Sequence, residues 1–138
     1  MKNRSRVRVT ISYLVALPIM ALLNYLLWFG WDQHRDVHPD GSVSGPYEVW
    51  QGIGLGLGII AITALAGWRR HPILAVLLIP TTTTLALSVD WATDDDSDGL
   101  WAVGAFLFFV SSIAGVAVVV GIATAASRLR EHSGRLTQ

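Results

Sequence analysis

The sequence predicts an all-α integral membrane protein: a four-helix bundle, up-down-up-down, with both termini cytoplasmic. Three observations carry this. Four runs, 9–31, 49–68, 73–89 and 99–127, contain no Asp, Glu, Lys or Arg, and about 20 such residues cross a bilayer as a helix. Charged residues form 14% of the 138-residue chain while 52% is hydrophobic, against about 25% charged in a soluble domain. The charges are also sorted by sign. Nine of ten Lys and Arg lie before run one, between runs two and three, or after run four; nine of ten acidic residues lie in the other two connections. The positive-inside rule therefore places the basic connections and both termini in the cytoplasm.

Each element follows in order. Lys2, Arg4, Arg6 and Arg8 precede Val9–Trp31, 23 uncharged residues. A signal peptide's apolar region is about 7–15 residues, so this run is expected to be a retained first span. Residues 32–48 form a polar loop in which Pro39, Gly41, Gly45 and Pro46 disfavour a long regular element. Val49–Trp68 is the second run, and Arg69-Arg70-His71-Pro72 is a turn so short that spans two and three must be antiparallel neighbours. Ile73–Val89 is the third. Its Pro80 removes the bond to the Val76 carbonyl, predicting a kink. Asp90–Asp98 is an acidic loop with five aspartates, and Gly99–Ser127 is the fourth run. The spans are placed at about 9–31, 49–68, 73–89 and 100–126 within a single transmembrane domain, 1–138. Residues 128–138 are expected to be a flexible cytoplasmic tail. Strands are excluded as spanning elements because barrel strands are about 10 residues of alternating polarity.

Trp28, Trp31, Trp50, Trp91 and Trp101 fall at outer span ends and Trp68 at an inner end, as an interfacial aromatic belt requires. A formal net charge of zero gives no reason to expect nucleic acid as a partner. The absence of cysteine excludes disulfides, thiolate metal sites and lipid attachment through cysteine.

Three constellations are candidates for function. Gly52, Gly54, Gly56 and Gly58 open span two as two overlapping GxxxG pairs on roughly opposite faces. Small residues let helix backbones approach closely in lipid, so these glycines are expected to pack span two between two neighbours, within the chain or in a dimer. Ser111/Gly115 and Ala117/Gly121 in span four are plausible complements. Intramembrane polar residues come next: Asn24, Thr81, Thr82, Thr83, Thr84, Ser111 and Ser112. Asn24 and the threonines share a depth in the outer half. They predict either a water-accessible vestibule for a small polar or cationic ligand, or interhelical hydrogen bonds of about 0.6 kcal/mol each. Above them an outer collar of Tyr47, Glu48, Trp50, Gln51, Asp90 and Trp91 is the place to expect binding from outside.

Metal binding is not expected. Asp94, Asp96, Asp98 and Gly99 match the opening of a calcium loop, but Ala105 stands where the bidentate Glu belongs. His34 and His38 are spaced i, i+4, yet Pro39 and Gly41 oppose a helix there. The span interiors contain no charged residue and no histidine, whereas proton relays and coupled transport use intramembrane ionisable groups. No catalytic residue and no cofactor is expected, and the chain is read as not an enzyme. Expected partners are the lipid bilayer and, through the small-residue faces, a second copy or a larger membrane complex.

The segment Ser44-Gly45-Pro46-Tyr47-Glu48-Val49-Trp50-Gln51, with Gly67-Trp68-Arg69 and Ser88-Val89-Asp90, resembles small four-span membrane proteins of actinobacteria such as Streptomyces. The resemblance covers nearly the whole chain. It implies a bacterial inner-membrane address and carries over no activity and no catalytic residue. Small multidrug resistance transporters share the span count but use a membrane-embedded Glu in span one, where this chain has Asn24. Two functional readings follow: a non-enzymatic accessory or structural subunit, and a small permease, channel or sensor using the outer vestibule.

Overall fold

The computed structural model describes residues 2–31, 36–37, 39–41, 43–44, 47–93 and 99–136. It consists of α1 (Lys2–Phe29), β1 (Asp36–Val37), β2 (Val43–Ser44), α2 (Val49–Trp68), α3 (Pro72–Thr93) and α4 (Trp101–Leu136). The two strands pair antiparallel over two residues, with Val37 opposite Val43. The four helices are long and apolar enough to cross a membrane, over Thr10–Phe29, Val49–Trp68, Pro72–Thr93 and Trp101–Arg130. Their outward faces agree. Leu27 is 66% exposed, Leu57 61% and Ile122 66%; exposed apolar side chains on every helix fit contact with lipid.

Helix α1 packs on α2 and α3, α4 packs on the same pair, and α2 touches α3. The pair α2–α3 thus forms the middle of the bundle. Two apolar clusters hold it together. Leu17, Ala21, Ile62, Ala66, Ala75, Ile79, Val116 and Val120 join all four helices. Tyr25, Phe29, Leu55 and Leu87 form the second, flanked by Trp28, Tyr47, Trp91 and Phe108. This aromatic cluster lies at the acidic end, where α1 and α3 stop and α2 and α4 begin.

The helices extend well past the uncharged runs at three places: α1 already begins at Lys2, ahead of Val9. α3 continues through Asp90 to Thr93 and α4 continues through Arg128 and Arg130 to Leu136. A charge ends an uncharged run without ending a helix, because it breaks no backbone hydrogen bond. The segment expected to be a flexible tail therefore extends α4 as far as Leu136. Pro18 and Pro80 both lie inside continuous helices.

The α2–α3 turn is a Schellman cap. His71 N–H donates to the Ala66 carbonyl at 2.9 Å and Arg70 N–H to the Gly67 carbonyl at 3.1 Å, the paired bonds that close such an end. The motif needs a left-handed residue, and Arg70 takes it with φ 63°; among the described residues no other non-glycine has positive φ. Comparing two substitutions isolates the backbone cost. Arg70→Gly is expected to be about 1 kcal/mol more stable than Arg70→Ala, since both remove the side chain and only Gly tolerates the left-handed region. Thermal unfolding in mild detergent measures it; equal midpoints would deny the strain.

Candidate functional site

The glycine-rich start of α2 is the centre of the site, and its two rows behave differently. Gly54 and Gly58 face α1. A Cβ at Gly54 would come within 2.5 Å of the Trp28 ring, and one at Gly58 would overlap the Asn24 amide. Only glycine lets these side chains lie directly on the α2 backbone. The Asn24 Nδ2 donates to the Leu55 carbonyl at 3.0 Å, so the span-one asparagine is an α1–α2 link. Gly52 and Gly56 meet no other helix of this chain, with nothing within 4 Å of a built Cβ. They form one wall of a valley of about 350 Å³ between α2 and α4. Ser111, Ser112 and Gly115 line the other wall.

The intramembrane polar residues therefore divide among several places. Asn24 serves α1–α2. Thr83 is fully buried and donates to its own helix at the Ile79 carbonyl, 2.9 Å. Thr81, on the exposed side of α3, donates to the Leu77 carbonyl at 2.6 Å. Thr82 is half-buried, and the Thr84 hydroxyl oxygen is buried without a partner. Ser111 and Ser112 lie in the α2–α4 valley, on the helix that α1 does not touch. Single cysteines in this cysteine-free chain report the consequence. Asn24→Cys and Thr83→Cys are expected to stay unmodified by a membrane-impermeant thiol reagent, and rapid modification would reveal a water path to them.

The collar residues surround the aromatic cluster. Glu48 caps α2: its N–H donates to Gln51 Oε1 at 2.6 Å, and Gln51 is wholly buried. That contact closes the first turn of a helix from within. The Glu48 carboxylate is exposed and accepts from Trp50 Nε1 at 2.6 Å. Trp50 lies edge-on to Trp28 at 6.1 Å and beside Trp31 at 6.0 Å. Tyr47 stacks on Phe29 at 4.1 Å, and its hydroxyl is buried without a partner. Asp90 Oδ2 accepts from the Tyr25 hydroxyl at 2.8 Å. Trp91 lies against α4, 3.1 Å from where a Cβ on Gly104 would stand. The two carboxylates are thus each bound to an aromatic donor of their own. Together these contacts tie α1, α2, α3 and α4 at one level.

Tyr25 is the residue that sequence reasoning missed, and Trp28 was expected only as part of the interfacial belt and not against Gly54. Asn24 and Trp28 stand one turn apart on the face toward α2, which was the available signal for Trp28, while Tyr25, one residue on from Asn24, faces α3. At the opposite, basic end, Tyr13 stacks on His71 at 4.0 Å, and the Arg130 guanidinium sits 5.0 Å from the centre of the Trp68 ring. His34, His38 and Asp94–Asp98 lie outside the described residues. Among the described residues no group of three His, Asp or Glu side chains is placed to hold a metal.

Against known proteins the chain stands apart: no family model, curated protein or solved structure matches it.

Proposed function

We propose that the chain is a multi-pass protein of a bacterial inner membrane, of the actinobacterial kind it resembles, with both termini cytoplasmic. In this reading it works as a non-enzymatic accessory or structural subunit. One observation carries it: the two polar side chains of the described spans that bond across helices, Asn24 and Asp90, are used to join them. Asn24 binds the α2 backbone from α1, and Asp90 of α3 binds Tyr25 of α1. Polar groups used this way act as interhelical glue. A lateral surface suited to a closely packed partner is the far side of α4, where Ala114, Ala117 and Gly121 are exposed and a Cβ at Gly121 would meet nothing within 4 Å. Charge sorting along the sequence supports the orientation.

Purification in mild detergent with a mass measurement tests the reading. The expected particle contains a second copy or another membrane protein, and Gly121→Leu weakens it. A partner-free monomer under gentle extraction would overturn the subunit reading. One feature favours the alternative of a small permease, channel or sensor with an outward-facing polar vestibule. The Tyr47 hydroxyl is buried without a partner at the collar, and such groups call for a polar neighbour. Solute flux in proteoliposomes that is lost in Tyr47→Phe would establish that reading instead.

A further inference from the structure

Three tryptophans meet where α1 ends and α2 begins. The Trp50 ring lies 6.1 Å from Trp28 and 6.0 Å from Trp31, centre to centre. Trp28 is the inner member: its ring covers Gly54, where a Cβ would come within 2.5 Å of it. The other two are open, Trp31 at 61% exposed and Trp50 at 48%.

A tryptophan that only anchors a helix at the membrane surface keeps its N–H for water and lipid headgroups. These two do not. Trp31 Nε1 donates to the Leu27 carbonyl at 3.0 Å, and Trp50 Nε1 donates to Glu48 Oε2 at 2.6 Å. An indole has a single donor, so neither ring has one left for a phosphate. What the pair presents is π surface, and beside it stands the exposed Glu48 carboxylate. Both attract positive charge, the rings through the negative potential of their faces and the carboxylate directly. The hydrogen bond from Trp50 holds that carboxylate at the edge of the same ring. A cation is attracted within about 6 Å of a ring centre. With the Trp31 and Trp50 centres 6.0 Å apart and their planes 36° from parallel, one cation can satisfy that distance to both. The wider charge pattern agrees. Nine of ten acidic residues lie in the two connections at this end, where Arg35 is the one Lys or Arg, and such a field concentrates cations.

The kind of cation follows from hydration. A metal ion requires several oxygen ligands, and among the described residues no group of three His, Asp or Glu is placed to supply them. A primary ammonium is strongly hydrated and stays in water at an exposed site. A quaternary ammonium is weakly hydrated and donates no hydrogen bond, and it is the cation that gathered aromatic faces recognise.

We propose that Trp31, Trp50 and Glu48 bind a trimethylammonium group, carried by a free solute or by a lipid headgroup. Trp28, seated on Gly54, backs the Trp50 ring. The site belongs to α1 and α2 and is separate from the α4 surface offered to a partner, so it stands apart from the subunit reading.

Isothermal titration calorimetry of the full chain in a maltoside detergent tests it, with choline and dimethylbutanol, its uncharged carbon isostere, as ligands. Choline is expected to bind saturably and about ten-fold tighter than the isostere, the combined preference of two ring faces and a carboxylate for charge. Trp31→Leu and Trp50→Leu are each expected to weaken choline about five-fold, and Trp31→Phe, which restores a ring face, by only about two-fold. Glu48→Gln keeps an acceptor for Trp50 and removes the charge, and is expected to weaken choline about three-fold. Lipid added to the micelles separates the two sources. Competition by dioleoyl phosphatidylcholine and not by dioleoyl phosphatidylglycerol would assign the group to a lipid headgroup; competition by neither would assign it to a free solute. Equal affinity for choline and dimethylbutanol would overturn the proposal, leaving an apolar belt only. Wild-type choline affinity in both Trp31→Leu and Trp50→Leu would overturn it as well.

Discussion

Gly58→Ala is expected to destabilise the bundle by about 1–3 kcal/mol, while Gly56→Ala, two positions earlier on the same helix, is expected to be neutral or stabilising by up to about 1 kcal/mol. The chemistry of the two substitutions is identical. Their surroundings are not. The new methyl at 58 would overlap the Asn24 amide, pushing it off the Leu55 carbonyl it holds at 3.0 Å. An amide left unpaired away from water costs a further desolvation penalty. Gly54→Ala should behave like Gly58→Ala, because its Cβ would come within 2.5 Å of the Trp28 ring. At 56 the added methyl meets nothing within 4 Å and only removes the entropic cost of glycine. Unfolding midpoints in mild detergent decide it. Equal shifts at 56 and 58 would show that the packed and open faces of α2 have been misassigned.

Removing the Tyr25 hydroxyl is the second large effect. Tyr25 is 5% exposed and donates to Asp90 at 2.8 Å, joining α1 to α3 at the acidic end. A hydrogen bond to a charged group contributes about 1.5–3 kcal/mol. Tyr25→Phe and Asp90→Ala are each expected to cost about 2 kcal/mol on that scale. Combined, they should show a coupling of about 1–2 kcal/mol, since the second change removes an interaction already lost. A coupling near zero would mean that the pair does not hold the helices. Glu48→Gln is the internal comparison: that carboxylate is exposed and bound to Trp50 within its own turn, so its effect on stability should be within about 0.5 kcal/mol.

These two contacts also show what the sequence could and could not reveal. The four spans were legible because the membrane imposes a length and forbids charge, and both are written locally. For α2 the run between Glu48 and Arg69 coincides with the helix. The end of α3 was not legible in the same way. Asp90 closes the uncharged run, yet the helix passes through it, and its carboxylate meets a hydroxyl 65 residues earlier in the chain that no local pattern announces. The glycine spacing announced two faces but could not say which one is packed. That depends on where Trp28 and Asn24 of α1 land, which no spacing within α2 encodes. The polar residues were visible one by one; that Asn24 and Ser112 serve different helix pairs follows only from the arrangement of α1 and α4 on opposite sides of α2–α3. The Schellman turn was hidden for another reason. The residue that takes the left-handed position is Arg70, where a glycine would have marked the cap.

The most direct test of the account is a topology measurement on single-cysteine variants in this cysteine-free chain. Ser5→Cys, Ser42→Cys, Ser97→Cys and Thr137→Cys would be treated in intact cells with a membrane-impermeant thiol reagent. Four spans with cytoplasmic termini predict that Ser42→Cys and Ser97→Cys are labelled, while Ser5→Cys and Thr137→Cys react only after the membrane is opened. Labelling of one terminus and not the other would mean an odd number of crossings, and would contradict the four-helix membrane bundle on which every other inference rests.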